Sequence, residues 1–239
     1  MYTQERKALA NLVVSGPVAE ASYDSAIVAA LNENKPVMLV HAFNGGYLRP
    51  ADLTEASHDK GVKLATALDP ATKEAEGHLW YITPAGFFGQ RPLYFIESAA
   101  GQAPTDPETA DDAGAAQSAT GSPKPRRRRL TVHQDAPKAD ADTLQVGLPD
   151  KVGEKWRGKN GANEDTQLWV VTVTPWGGIT FVPITHPETI AGFKDHAVAA
   201  DSEVRVTYNW GGDFTGTVIN TFYPRLPDDW NKPYHHVFT

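Results

Sequence analysis

Two stretches of this 239-residue chain set a tryptophan among side-chain amides and carboxylates. The first holds Asp150, Trp156, Asn160, Asn163 and Asp165, and the second is Asn209-Trp210-Gly211-Gly212-Asp213. An indole face stacks on the apolar face of a saturated ring such as a pyranose. A planar amide or carboxylate beside it takes neighbouring hydroxyls with paired hydrogen bonds. Trp156 stands among polar residues where a core tryptophan is not expected, which favours ligand contact. Trp210 sits at a double-glycine turn and fits hairpin packing and ligand contact alike, since Gly and Asn supply the positive φ of tight turns. Asn44-Gly45-Gly46-Tyr47 is a weaker version of the same combination. The candidate binding residues are therefore Trp156, Asn160, Asn163, Asp165, Asn209, Trp210 and Asp213.

Other chemistry has little to work with. No nucleophile elbow, paired-histidine zinc motif, phosphate loop or dinucleotide glycine motif occurs, so no catalytic residue is nominated and the chain is not expected to be an enzyme. Zero cysteines remove disulfides, thiol nucleophiles and thiolate metal sites together. The eight histidines are scattered, and the one adjacent pair, His235-His236, points opposite ways on an extended tail. No metal and no cofactor is expected. The pairs Asp111-Asp112 and Asp228-Asp229 read as solvated loop acids. Lys plus Arg number 22 against 29 Asp plus Glu, a net charge of −7, which argues against a nucleic-acid partner.

No stretch approaches the roughly 18 apolar residues of a membrane span. The opening Met1-Tyr2-Thr3-Gln4-Glu5-Arg6-Lys7 is not the basic-then-apolar start of a secretory signal. The expectation is a soluble protein, cytoplasmic or released without a signal peptide.

The elements that must carry these residues change character along the chain. Residues 1–35 read as a helical extension, with Ser22 or Asp24 capping Ala26 to Leu31 before Lys35-Pro36. From Pro36 the texture is short β-branched and aromatic runs between Gly, Pro, Asn and Asp, the pattern of an all-β barrel or sandwich. About residues 99–125 lack any large apolar residue and read as a flexible insertion in a surface loop. It ends in Arg126-Arg127-Arg128-Arg129, either a solvated loop end offsetting the acidic insertion or a functional run, a patch for an anionic partner or a processing site. Residues 225–239, rich in Pro with Trp230 and Tyr234, are expected to wrap the domain. Helices and tail together could instead form a homo-oligomer contact.

One order of runs recurs three times. Pro36 to Val40, Gly45 to Pro50, Gly61 to Ala65 and His78 to Pro84 form the first unit. Pro92 to Ile96, Arg129 to Val132, Asp142 to Val146 and Gln167 to Val171 repeat it, and Gly178 to Val182, Thr189 to Gly192, Glu203 to Val206 and Val218 to Pro224 repeat it again. Three such four-stranded units cannot bury their faces separately. Closed together they make a six-stranded barrel capped by three hairpins, without exposed barrel edges.

Over residues 36–224 this pattern resembles the β-trefoil fold, and within it the ricin-type lectins, whose fourth strands carry Gln-x-Trp. Gln167-Leu168-Trp169 matches that motif, His78-Leu79-Trp80 keeps the Trp, and Asn220-Thr221-Phe222 keeps an aromatic. The family's half-cystines are absent. In such a fold the fourth-strand aromatics pack in the barrel rather than against sugar. The resemblance implies a carbohydrate-binding protein that takes glycans or glycoproteins in shallow loop sites, with Trp156 and Asn163 roughly where a family aromatic and Asn fall. The alternative is a trefoil protein-interaction module such as a protease inhibitor. It would act through an extended loop, either the Arg126 to Arg129 region or Lys151 to Asn163.

Overall fold

The computed structural model describes residues 33–42, 45–51, 61–65, 77–103, 126–132, 143–148, 165–173, 178–187, 189–192, 202–208 and 220–227. Of the helical reading of residues 1–35, only 33–35 are described, and they form a turn leading into β1; the rest, and the tail beyond residue 227, lie outside the described residues. The described residues form strands, in chain order β1 (Val37–His41), β2 (Tyr47–Pro50), β3 (Val62–Ala65), β4 (Leu79–Phe88), β5 (Arg91–Ala103), β6 (Arg126–Arg129) and β7 (Thr131–Val132). They continue as β8 (Thr143–Gly147), β9 (Trp169–Val173), β10 (Ile179–Pro183), β11 (Thr189–Gly192), β12 (Arg205–Tyr208) and β13 (Phe222–Arg225). No α-helix occurs among the described residues.

Strand pairing closes on itself. β1 pairs β4, β4 pairs β5, β5 pairs β9, β9 pairs β10, β10 pairs β13, and β13 returns to β1, every link antiparallel. Around this six-stranded barrel stand three hairpins, β2–β3, β7–β8 and β11–β12. They lean on one another: β12 pairs β8, and the Val204 amide donates to the Val62 carbonyl at 2.7 Å. Gly61, at φ +100, lies where they converge. A Cβ there would sit 2.8 Å from the Glu203 carboxylate and 3.2 Å from the Val146 carbonyl, so the apex admits no side chain. This is the β-trefoil.

The register shows the threefold relation directly. Trp80 lies opposite Val37 and Ser98, Trp169 opposite Tyr94 and Pro183, and Phe222 opposite Ile179 and His41. Val37, Tyr94 and Ile179 are therefore equivalent, as are Ser98, Pro183 and His41. Two residues further along, where a strand returns to the same face, Leu39, Ile96 and Phe181 fill the next layer with Ile82 and Val171. All are buried. These rings and aliphatic chains are one continuous interior, which explains why short divergent runs still specify a single barrel.

The second unit departs from this symmetry. β4 runs to Phe88 through a bulge between Pro84 and Gly86, and β5 runs from Arg91 to Ala103. Gly89 at φ +62 leads the two-residue loop Gly89-Gln90 between them. The interruption thus begins after Ala103, not at Ala99. Small residues held by backbone pairing to Arg126 and Arg127 continue the strand where composition alone reads as loop.

The arginine run is a strand and not a solvated loop end. Arg127 and Arg129 face outward over β4 and β5, while Arg128 between them is only 2% exposed. The Arg127 guanidinium lies 3.4 Å from the Tyr81 ring centroid, and that of Arg129 lies 3.4 Å from the Phe95 centroid. Between the rings sits Glu97, whose carboxylate accepts from Arg129 Nε at 3.1 Å and from the Thr83 hydroxyl at 2.9 Å, with Arg127 at 3.6 Å. Each ring carries a guanidinium over one face and the acid is occupied. This cluster fastens β6 across β4 and β5, and it offers a ligand no free platform.

Candidate ligand-binding site

In the first two units the fourth strand is tied by a tryptophan to the second strand or the residue just before it. Trp80 Nε1 donates to the Leu48 carbonyl at 2.8 Å, and Trp169 Nε1 donates to the Leu130 carbonyl at 2.9 Å. The 32-residue interval from Trp80 back to Leu48 leads, in the third unit, from Phe222 back to Ile190. Phe222 has no such donor and packs instead against His41, with ring centroids 5.5 Å apart, and Phe181 at 5.7 Å.

The residue two positions earlier repeats the pattern. The His78 ring meets the Tyr47 ring edge-on at 6.1 Å, and Gln167 Nε2 donates to the Thr131 hydroxyl at 3.2 Å. Asn220 packs against the backbone of Gly192, where a Cβ would collide with it. His78, Gln167 and Asn220 are all buried. Both side chains of Gln-x-Trp are thus consumed in holding hairpin to barrel, as the sequence reading expects of the fourth-strand aromatics.

That frame fixes where the candidate stretches fall along the chain. Trp156, Asn160 and Asn163 lie outside the described residues, in the connection from β8 to β9. Asn209, Trp210 and Asp213 lie outside them too, in the connection from β12 to β13. The two connections are equivalent, each joining a unit's third strand to its fourth. In the first unit the corresponding residues 66–78 contain no Trp, Tyr or Phe. The order of runs already implies this equivalence, and the strand pairings bear out the order of the flanking strands.

Asp165 is the one nominated residue that the structure describes. It is half-buried at the start of a single 3-10 turn, Asp165–Gln167, and its carbonyl faces the Leu168 amide at 3.4 Å. The Ile184 amide bonds the Leu168 carbonyl at 3.0 Å. Asp165 therefore stands where the Trp156-bearing connection joins a strand anchored at Gln167 and Trp169. The weaker first-unit combination resolves differently. Gly45, at φ +70, donates its amide to the His41 carbonyl at 3.0 Å and the His41 amide returns a bond to Gly46, which is hairpin-turn chemistry. Among the described residues no group of three or more His, Asp or Glu could hold a metal ion. No helix among them is long and apolar enough to cross a membrane.

No family model and no curated protein sequence matches the chain. Among solved structures it is similar to a designed three-fold symmetric protein, ThreeFoil, at 12% identity and TM-score 0.45, covering 80% of this chain and 97% of that one. It is similar also to the C-half of an earthworm R-type lectin in complex with GalNAc, at 11% identity and TM-score 0.44, covering 80% and 97%. An exo-β-1,3-galactanase from Clostridium thermocellum aligns at 11% identity and TM-score 0.46, over 80% of this chain and 30% of that one. The fold assignment itself stands on the closed strand ring and its matching registers.

Proposed function

We propose that this chain is a carbohydrate-binding β-trefoil without catalytic activity. In this reading it takes glycans or glycoproteins through shallow sites on two of its three equivalent connections. Trp156 stacks on a sugar ring in the second unit, with Asn160, Asn163 and Asp165 taking hydroxyls. Trp210 does so in the third, with Asn209 and Asp213. The observation that supports it is the recurrence of one combination, an indole with amides and a carboxylate, at equivalent points of an otherwise divergent repeat. The fourth-strand tryptophans are fully buried and unavailable for such contact. Shallow sites bind weakly one at a time, and two on one rigid barrel gain by multivalency on a clustered surface.

A glycan array probed with the full chain is the test. Retention of one sugar class is expected, with Trp156→Ala and Trp210→Ala each weakening it at least about tenfold, as for aromatic anchors generally. Absence of binding on the array together with absence of haemagglutination would overturn the reading.

A further inference from the structure

The β4–β5 hairpin carries a feature that glycan binding does not use. Phe87 and Phe88 are 51% and 65% exposed, the two large apolar side chains exposed among the described residues. They are consecutive on a strand, so their side chains leave the ribbon on opposite faces. A flat protein surface would cover one ring and leave the other in water. A medium that surrounds the tip covers both.

The tip also runs past the strand pairing of its own barrel. Tyr94 is the last β5 residue paired to β9, and beyond it the strand pairs only with β4. From Tyr94 to Gln90 the ribbon extends roughly 13 Å at strand rise. Among the described residues nothing lies within 4 Å of where a Cβ would stand on Gly86 or Gly89. Because β4 begins at the hairpin bonded through Trp80, this tip lies at the barrel end away from the three hairpins.

The hairpin's own residues are basic on balance, and Glu33, a described acid near its base, is paired with Lys35 at 2.6 Å. Between Glu76 and Glu97 there is no acidic residue, and Arg91, exposed and paired opposite Phe88, is the one Lys or Arg there. Within a chain of net charge −7 this hairpin tip is itself acid-free, basic and doubly aromatic. We propose that this tip docks the protein on an anionic lipid bilayer, with Phe87 and Phe88 entering the boundary between headgroups and acyl chains and Arg91 meeting lipid phosphate. The free ribbon length suits an interfacial depth of roughly 5–10 Å.

The test is flotation of the full chain with vesicles of phosphatidylcholine, alone or with a quarter phosphatidylglycerol, at low and moderate salt. The chain is expected to float with the anionic vesicles. The double variant Phe87→Ser, Phe88→Ser should lose at least about tenfold in partitioning, and Arg91→Gln about fivefold with a shallower salt dependence. Unchanged thermal unfolding in both variants would tie the loss to the tip, since these side chains lie outside the core. Failure to float at low salt, or undiminished flotation of the double variant, would overturn the proposal. So would concentration-dependent self-association of the chain, abolished by the same double variant, in place of lipid binding. None of these readouts depends on sugar, so this proposal and the glycan reading fail separately.

Discussion

The first two units close their fourth strands with an indole that both packs and donates. The third closes with Phe222, which only packs. Trp80 and Trp169 each satisfy a carbonyl of their unit's second strand, whereas Phe222 replaces that bond with two aromatic neighbours, His41 and Phe181. The equivalent partners in the other units are Ser98, Pro183, Leu39 and Ile96, none of them a ring facing a ring. What the barrel requires at this position is therefore a large apolar plug. The hydrogen bond is an addition that particular neighbours can replace.

The comparison breaks most visibly by deleting a plug. Trp169→Ala should cost about 3–5 kcal/mol through lost burial and the cavity left behind, read as a fall in the denaturation midpoint. Trp169→Phe sharpens the same test. It keeps a ring but withdraws the donor from the Leu130 carbonyl, and should cost about 1–3 kcal/mol. A neutral Trp169→Phe would mean the bond contributes nothing and that units one and two are closed as unit three is.

The next largest effect belongs to the second unit alone. Glu97→Gln removes the charge that Arg127 and Arg129 share while leaving their rings beneath them. A loss of about 2 kcal/mol is expected, measured by urea unfolding with the double variants Arg129→Gln and Arg127→Gln to isolate the coupling. No loss would mean that ring stacking alone fastens β6.

The smallest effect runs the other way. Tyr94 stands where the other units carry Val37 and Ile179, and its buried hydroxyl has no hydrogen-bond partner among the described residues. Burial pushes this phenol well above its ordinary range. Below about pH 10 the phenol is neutral folded and unfolded alike. Above it only the unfolded chain ionises, so stability falls as pH rises. Tyr94→Phe should gain about 1 kcal/mol at neutral pH and flatten the alkaline decline, both visible in thermal melts across pH.

Much of this barrel was legible in the residues themselves. Alternating apolar runs bounded by Gly and Pro mark the strands, and Gln167-Leu168-Trp169 points to the fourth-strand position whose side chains hold the hairpin. The reach of β5 through Ser98 to Ala103 was not legible, because small residues carry no strand signal and the pairing that orders them is remote in sequence. The arginines failed for a related reason. Four like charges read as solvated until cross-strand register brings Tyr81, Phe95 and Glu97 beneath two of them, Arg127 and Arg129, and buries Arg128 between them. For the candidate site, residue types were enough to nominate Trp156 and Trp210. The repeat order also places both between the third and fourth runs of their units, and the strand pairings agree with that order.

The ring is sealed by its first strand meeting its last. Until Phe222 to Arg225 have left the ribosome, β1 presents an unpaired edge from Met38 to His41 and β10 lacks its partner at Ile179, the kind of border that recruits neighbouring chains. Translation stopped just short of that point would yield an aggregation-prone product although nearly all of the interior had already been made, so the final few codons of the barrel decide whether it survives.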